Sequence, residues 1–258
     1  MSTKITILKK LKEIEEKEKI KTLYAVESGS RGWGFESKDS DYDVRLIYIR
    51  PLDWYLSIDD KKDFIEHPVS SLLDISGWDI KKALKLFGNS NPPLYEWLNS
   101  PIIYLERGSF VQRLRDLMPK FYSPKTSLYH YLHMAKGNYR EYLKRERVRV
   151  KKYFYVLRPV FACMWIEKHK TVPPIEFEKL FHDQELDGKL TDEIEKLLKR
   201  KRTGDEMDIE QRIEIIDNFI KNKLAYFENY LKGFEKEKKL INNYALDNIF
   251  RNSVKNQS

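Results

Sequence analysis

Across residues 4–21 the apolar side chains Ile5, Leu8, Leu11 and Ile14 recur at three-residue steps, with lysine and glutamate between them. That rhythm predicts an amphipathic helix lying on a sheet. Two short apolar runs follow, 23–26 and 44–49, and read as strands; the second extends over 42–50 and stops at Pro51. Residues 52–70 read as irregular, with a charged turn over 59–63 and His67 as an exposed strand-end residue. A third strand is predicted over 69–75. A helix beginning near Asp79 follows, with Ile80, Ala83, Leu84 and Phe87 on one face. Gly88 to Pro93 break the chain. A short helix over 94–98, an edge strand over 102–104 and a helix over 109–117 complete the first half.

The pattern changes beyond Pro119 and Pro124, where strands give way to helices. These are predicted over 127–142, 148–168 (kinked or divided at Pro159), 190–202 and 209–239, with a short one before His182. Gly204-Asp205 reads as a turn, and the residues from about Asn252 as a frayed end. Two domains are therefore expected, 1–120 and 121–258.

Composition narrows the class. Of 258 residues, 41% are hydrophobic and 34% charged, an ordinary globular balance, and no apolar run approaches a membrane-spanning length. The charged N-terminus lacks the apolar stretch of a signal peptide. The single cysteine, Cys163, excludes an internal disulfide framework and lies in an apolar run. A cytoplasmic location is the expectation. The net charge of +8 is uneven: 20 basic against 19 acidic residues in 1–120, and 28 against 21 in 121–258. The second half thus suits a phosphate-bearing substrate, or it is a lysine-rich solvated surface. Tyrosines alternate with Lys and Arg between 129 and 158. That pattern suits base stacking along a positive groove, though an aromatic stripe at helical spacing is more commonly core.

The stretch 28–45, SGSRGWGFESKDSDYDVR, carries the chemistry. Asp41 and Asp43 sit two apart at a strand start, so their side chains face the same way and repel. A hard divalent cation with oxygen ligands relieves that repulsion, and Mg2+ favours one or two carboxylates plus substrate phosphates. Upstream, Ser28-Gly29-Ser30 offers backbone N–H groups and hydroxyls to an anion. A phosphate cradle beside a metal-binding pair points to phosphoryl or nucleotidyl transfer. Arg31 suits a triphosphate or pyrophosphate, or a pairing with Glu27 or Asp39 that shapes the loop.

Gly29-Ser30 followed after eleven residues by Asp41-Tyr42-Asp43 resembles the signature of the DNA polymerase beta-like nucleotidyltransferases. The fuller Gly-Ser-Arg-Gly and Asp-Ser-Asp-Tyr-Asp-Val-Arg resemble its RlaP-like branch, associated with RNA repair. Segments 73–79, 91–98 and 153–165 extend the likeness over about residues 20–185. The resemblance implies an α/β nucleotidyltransferase core with a short mixed sheet, followed by an all-helical C-terminal domain, with the active site between the halves. It implies an NTP substrate, two Mg2+ ions on Asp41 and Asp43, and Gly29 and Ser30 on the phosphates. It also implies a third carboxylate on a neighbouring strand that completes the metal site and takes the acceptor's proton: Asp74, favoured because it lies within the strand, or Asp79, whose place at a helix start suits an N-terminal cap. Lys136, Lys152 and Arg158 are the candidates to hold the triphosphate from the helical half. Arg158 is the most telling, since a charge among apolar residues needs a partner. An RNA end is the first-choice acceptor. A protein hydroxyl, a small molecule and a non-catalytic nucleotide or RNA binder are the alternatives, and a homodimer is open.

Overall fold

The computed structural model describes residues 3–37, 40–70, 72–203, 209–234 and 243–256. It is an α/β protein with a helical C-terminal region. The chain divides into two compact units: residues 1–32, 41–121 and 239–258 form one, and residues 33–40 and 122–238 the other.

The first unit is built on a five-stranded mixed sheet. It holds α1 (Thr3–Glu18), β1 (Lys21–Ser28), the one-turn α2 (Gly29–Gly32), β2 (Tyr42–Ile49), α3 (Leu52–Tyr55), β3 (Phe64–Ser70), β4 (Leu73–Asp79), α4 (Ile80–Gly88), α5 (Pro92–Leu98), β5 (Ile103–Glu106) and α6 (Phe110–Phe121). The strand order is β3-β4-β2-β1-β5. All pairs are antiparallel except β2 with β4, which run parallel through the crossover that contains β3.

Side-chain alternation on β2 decides what each face of the sheet does. Val44, Leu46 and Tyr48 join Ile7, Leu11 and Ile14 of α1 in one apolar cluster. Asp43, Arg45 and Ile47 therefore point to the other face. The helix buries Ile7, Leu11 and Ile14 at i, i+4, i+7, whereas Ile5, counted among the predicted apolar positions, is exposed. Full helical turns bring the 7-11-14 row onto one stripe, and Ile5 lies on the other side of the cylinder.

Two strands differ from the sequence reading. Residues 64–70 are an edge strand rather than irregular, and the strand expected over 69–75 begins at Leu73 and runs to Asp79. Glu66, His67 and Pro68 hide β3 from periodicity, yet Pro and charge are what an unpaired sheet edge tolerates. His67 is half-buried there, with Nε2 3.2 Å from Glu18 Oε1, rather than exposed. Asp79 ends β4 and caps α4. Its carboxylate accepts from the Lys81 amide at 2.8 Å and from the Tyr55 hydroxyl at 2.7 Å.

The chain returns to this unit at its end. Tyr244–Lys255 form α12, whose last turn lies where a frayed end was expected from about Asn252. Its Leu246, Ile249 and Val254 are buried, and Phe250 meets the Tyr55 ring edge-on at 5.1 Å. Contact with α3, α4 and α6 gives its apolar stripe something to cover.

The second unit comprises α7 (Pro124–Asn138), a π-helical turn (Tyr139–Leu143), β6 (Arg147–Arg149), α8 (Val150–His169), α9 (Phe177–His182), α10 (Gly188–Thr203), β7 (Ile209–Gln211) and α11 (Glu214–Lys232). Leu128, Tyr131, Ala135, Phe154, Leu157 and Phe161 lie in one core, together with Phe35 from the 33–40 segment. The Phe35 ring centroid is 4.9 Å from that of Phe154. Pro159 sits inside an unbroken α8. The helix expected over 209–239 opens instead with β7, paired with β6, and its helical part ends at Lys232. Gly204-Asp205 and residues 235–239 lie outside the described residues. Cys163 is a buried free thiol whose pKa burial pushes up.

Candidate active site

The site grows from the start of β2. Asp41 immediately precedes the strand and is exposed; Asp43 is its second residue and is half-buried. In the parallel pairing, Asp43 stands directly opposite Asp74 of β4. Arg45, two residues along the same face, bridges them: Nη2 lies 3.0 Å from Asp43 Oδ1, and Nη1 lies 2.8 Å from Asp74 Oδ2. Burial raises the Asp43 carboxyl above its ordinary pKa; Arg45 opposes the rise, and Asp74 and Asp41 reinforce it. Three carboxylates thus share one field, with the Arg45 guanidinium between two of them.

On the other flank, β1 pairs antiparallel with β2 so that Ser28 faces Asp43. The next residue, Gly29, has φ +68°, and a Cβ built on it would fall 2.1 Å from Asp43 Oδ2. Glycine is therefore required twice over, for the backbone and for the carboxylate pressed against it. Ser30 and Arg31 follow within the single turn of α2. The Arg31 guanidinium lies 3.8 Å from the Tyr42 ring centroid, and its Nε donates to the Asp41 carbonyl at 3.2 Å.

Behind Asp43 sits Glu27, which the sequence offered as a pairing partner for Arg31. It is 1% exposed. Its Oε1 accepts the Asp43 backbone N–H at 2.8 Å, and its Oε2 accepts the Tyr104 hydroxyl. Burial pushes its carboxyl up to about 7, despite both donors. A charged residue closing an apolar run was the signal available in the sequence; its role as a seat for the Asp43 backbone needed the β1–β2–β5 pairing. Arg45 had a plainer signal, being the third polar residue of the same-face series 41, 43, 45.

Glu27 makes stability depend on pH in a definite direction. Its folded pKa lies above the ordinary 4.5, so the folded protein binds the proton more tightly. The associated stability is fully present below about pH 4.5 and is lost as pH rises through about 7, by at most roughly 3 kcal/mol. Relative to Glu27→Gln, the wild type should lose stability between pH 5 and pH 8 in denaturant melts. A difference that stays flat with pH would show that Glu27 is ionised throughout.

The other predicted residues are placed as follows. Asp79 is engaged as the cap of α4, away from the Asp43–Asp74 pair in the β2–β4 register. In the second unit, Lys136 is paired with Glu228. Arg158 is buried, its Nε donating to the Ile175 carbonyl at 3.2 Å and its guanidinium 4.7 Å from the Trp33 ring centroid. Lys152 lies over the Tyr142 ring, 3.7 Å from its centroid, and 4.7 Å from that of Tyr155. Burial, then the neighbouring Lys151, lowers its pKa.

Among the described residues no three His, Cys, Asp or Glu side chains form a ready-made metal cage. The donor chemistry nonetheless fits magnesium, which needs one or two carboxylates and takes its remaining ligands from phosphates and water. Asp43, destabilised as an anion by burial and by its acidic neighbours, is the group such an ion would relieve.

A Gly-Ser turn beside an Asp-x-Asp strand, with a third carboxylate on the parallel neighbour, defines a polymerase beta-like nucleotidyltransferase core. Comparison with known proteins agrees. Residues 3–252 match the family described as "RlaP: RNA repair pathway DNA polymerase beta family". The chain is 47% identical over 248 residues to the uncharacterized protein YcgL of Bacillus subtilis, covering 96% of this chain and 95% of that one. A crystal structure of a nucleotidyltransferase-like protein from Exiguobacterium sibiricum aligns over 82% of this chain and 69% of its own, at 14% identity and a TM-score of 0.30. The chain belongs to the RlaP family.

Proposed function

We propose that the protein transfers a nucleoside monophosphate from an NTP to a hydroxyl acceptor, an RNA end by preference, and releases pyrophosphate. The observation that carries this reading is the register that sets Asp43 beside Asp74, with Gly29 pressed against Asp43. Asp41 and Asp43 would hold two Mg2+ ions, which when bound neutralise phosphate charge and polarise the α-phosphate.

The chain's own groups do the remaining work. The backbone of Gly29 and Ser30 faces the β and γ phosphates, and Arg31, braced on Tyr42, adds positive charge. Arg45 keeps Asp43 and Asp74 apart at fixed geometry. Glu27 holds the backbone of Asp43 in place. Asp74 takes the proton from the acceptor hydroxyl. The oxygen then bonds to the α-phosphorus, and the bond to the pyrophosphate oxygen breaks. The acceptor choice rests on the basic second half and the family's description.

The test is incubation with each of the four labelled NTPs, Mg2+ and a mixed small-RNA pool, with the double variant Asp41→Ala/Asp43→Ala as control. Label on RNA that the control lacks supports the reading and names the base. Pyrophosphate release that requires a cell extract instead of RNA moves the acceptor to a protein or small molecule. Nucleotide binding without any release makes the chain a binding module.

A further inference from the structure

The positive charge of the second unit is concentrated where local folding does not call for it. The π-helical turn 139–143 hands the chain to Lys144, Arg145 and strand β6, and Arg149 serves as the N-cap of α8. Lys144, Arg145, Arg147 and Arg149 are all exposed. Arg147 and Arg149 flank the buried Val148, so both project from one face of the strand, about 6.6 Å apart along it. Lys151 and Lys152 extend the series into the first turn of α8, which holds no acidic residue.

Cations at a helix N-terminus oppose the macrodipole and cost stability. Arg149 also caps no amide with its side chain. Their neighbours do little to neutralise them. Glu210, across the ribbon, is held by Arg200 at 2.5 Å. Glu141 and Glu146 are the other acids of the segment. The acidic Asp205, Glu206 and Asp208 precede β7 in sequence and lie outside the described residues. Arg147 donates only to the Ile209 carbonyl, at 3.1 Å, and none of the four is in an ion pair among the described residues.

A ridge of cations with no ion pair among the described residues, two of them spaced by a strand's two-residue repeat, matches an extended polyanion. The adjacent aromatic faces are taken: Lys152 sits on Tyr142 and against Tyr155. Contact would therefore track phosphates rather than stack bases, and would be indifferent to sequence.

We propose that Lys144, Arg145, Arg147 and Arg149 form a binding ridge for the sugar–phosphate backbone of single-stranded RNA. This rests on the RNA-acceptor reading and places the body of the acceptor on the second unit. The probe is a labelled, unstructured RNA oligomer of mixed sequence, bound to the full chain over a salt series. Three variants accompany the wild type. The first is Lys144→Gln/Arg145→Gln/Arg147→Gln/Arg149→Gln. The second, Arg147→Lys/Arg149→Lys, keeps the charge. The third removes as much charge elsewhere, by Lys9→Gln/Lys12→Gln/Lys17→Gln/Lys21→Gln.

The first variant should bind at least about ten-fold more weakly near 0.1 M salt, and its log–log salt slope should be shallower by about 2 to 3. The other two should stay near wild type, and the first variant should melt no lower than wild type, since it removes cations from the N-terminus of α8. Equal weakening by the first and third variants would reduce the effect to overall charge and overturn the ridge while leaving the RNA reading intact. Wild type that binds no RNA, or that binds anionic vesicles or acidic peptide through these residues instead, would overturn both.

Discussion

Asp43→Asn should lower the proposed nucleotidyl transfer by at least about 10²–10³, the scale seen when one preorganised electrostatic group is removed. The change is nearly isosteric. The asparagine carbonyl can still accept from Arg45, and the β2–β4 pairing that places residue 43 opposite Asp74 is a backbone feature. What disappears is the negative charge that would face a divalent ion. The same charge is costly in the folded protein, since burial and the neighbouring Asp74 and Asp41 already push the carboxyl toward its neutral form. Thermal stability near neutral pH should therefore be unchanged or slightly higher while activity collapses. Single-turnover label transfer and a melting curve on the same preparation check both halves. Turnover at the wild-type rate would remove Asp43 from the chemistry. A large fall in melting temperature would make it a structural residue.

Gly29→Ala should damage stability and transfer together. At φ +68° an alanine meets the steric cost of left-handed backbone, about 1–2 kcal/mol. Its methyl would also lie 2.1 Å from Asp43 Oδ2 and 2.9 Å from Cγ. Asp43 has to rotate away, which breaks its contact with Arg45 and moves it from Asp74. Gly34→Ala is the matched comparison: φ is +80°, but nothing lies within 4 Å of the added Cβ. The two variants should melt lower by similar backbone increments, with Gly29→Ala lower still. Transfer should fall by about 10² or more only for Gly29→Ala, by the same electrostatic argument as for Asp43. Equal activity in the two variants would show that the contact between Gly29 and Asp43 is incidental.

Much of the site was legible because it is local. Gly29-Ser30 and Asp41-x-Asp43 depend on turn chemistry and two-residue alternation, properties of a few consecutive residues. The apolar runs of β1 and β2 and the stripe of α4 were likewise visible, because each element carries its own period.

Features that depend on partners were not. Residues 64–70 became a strand because β4 offers them an edge, and their own Glu66, His67 and Pro68 argue against it. The choice between Asp74 and Asp79 could not be made from spacing. The parallel register of β2 on β4 puts Asp74 beside Asp43 and leaves Asp79 to cap α4. Glu27 ends an apolar run like many surface residues, and only the strand on each side of β1 turns it into a buried support for Asp43. The partner that Arg158 needs among apolar residues is the Ile175 carbonyl, and Lys136 pairs with Glu228; neither partner could be read from local spacing.

The last turn of α12, from Asn252, is polar enough to pass for a frayed end, and burial of Val254 is what fixes it. Sequence alone determined which residue types stand at the candidate site and the local elements that carry them. Tertiary structure decided which carboxylates meet and which charges are neutralised, since both follow from pairings between residues that no local period links.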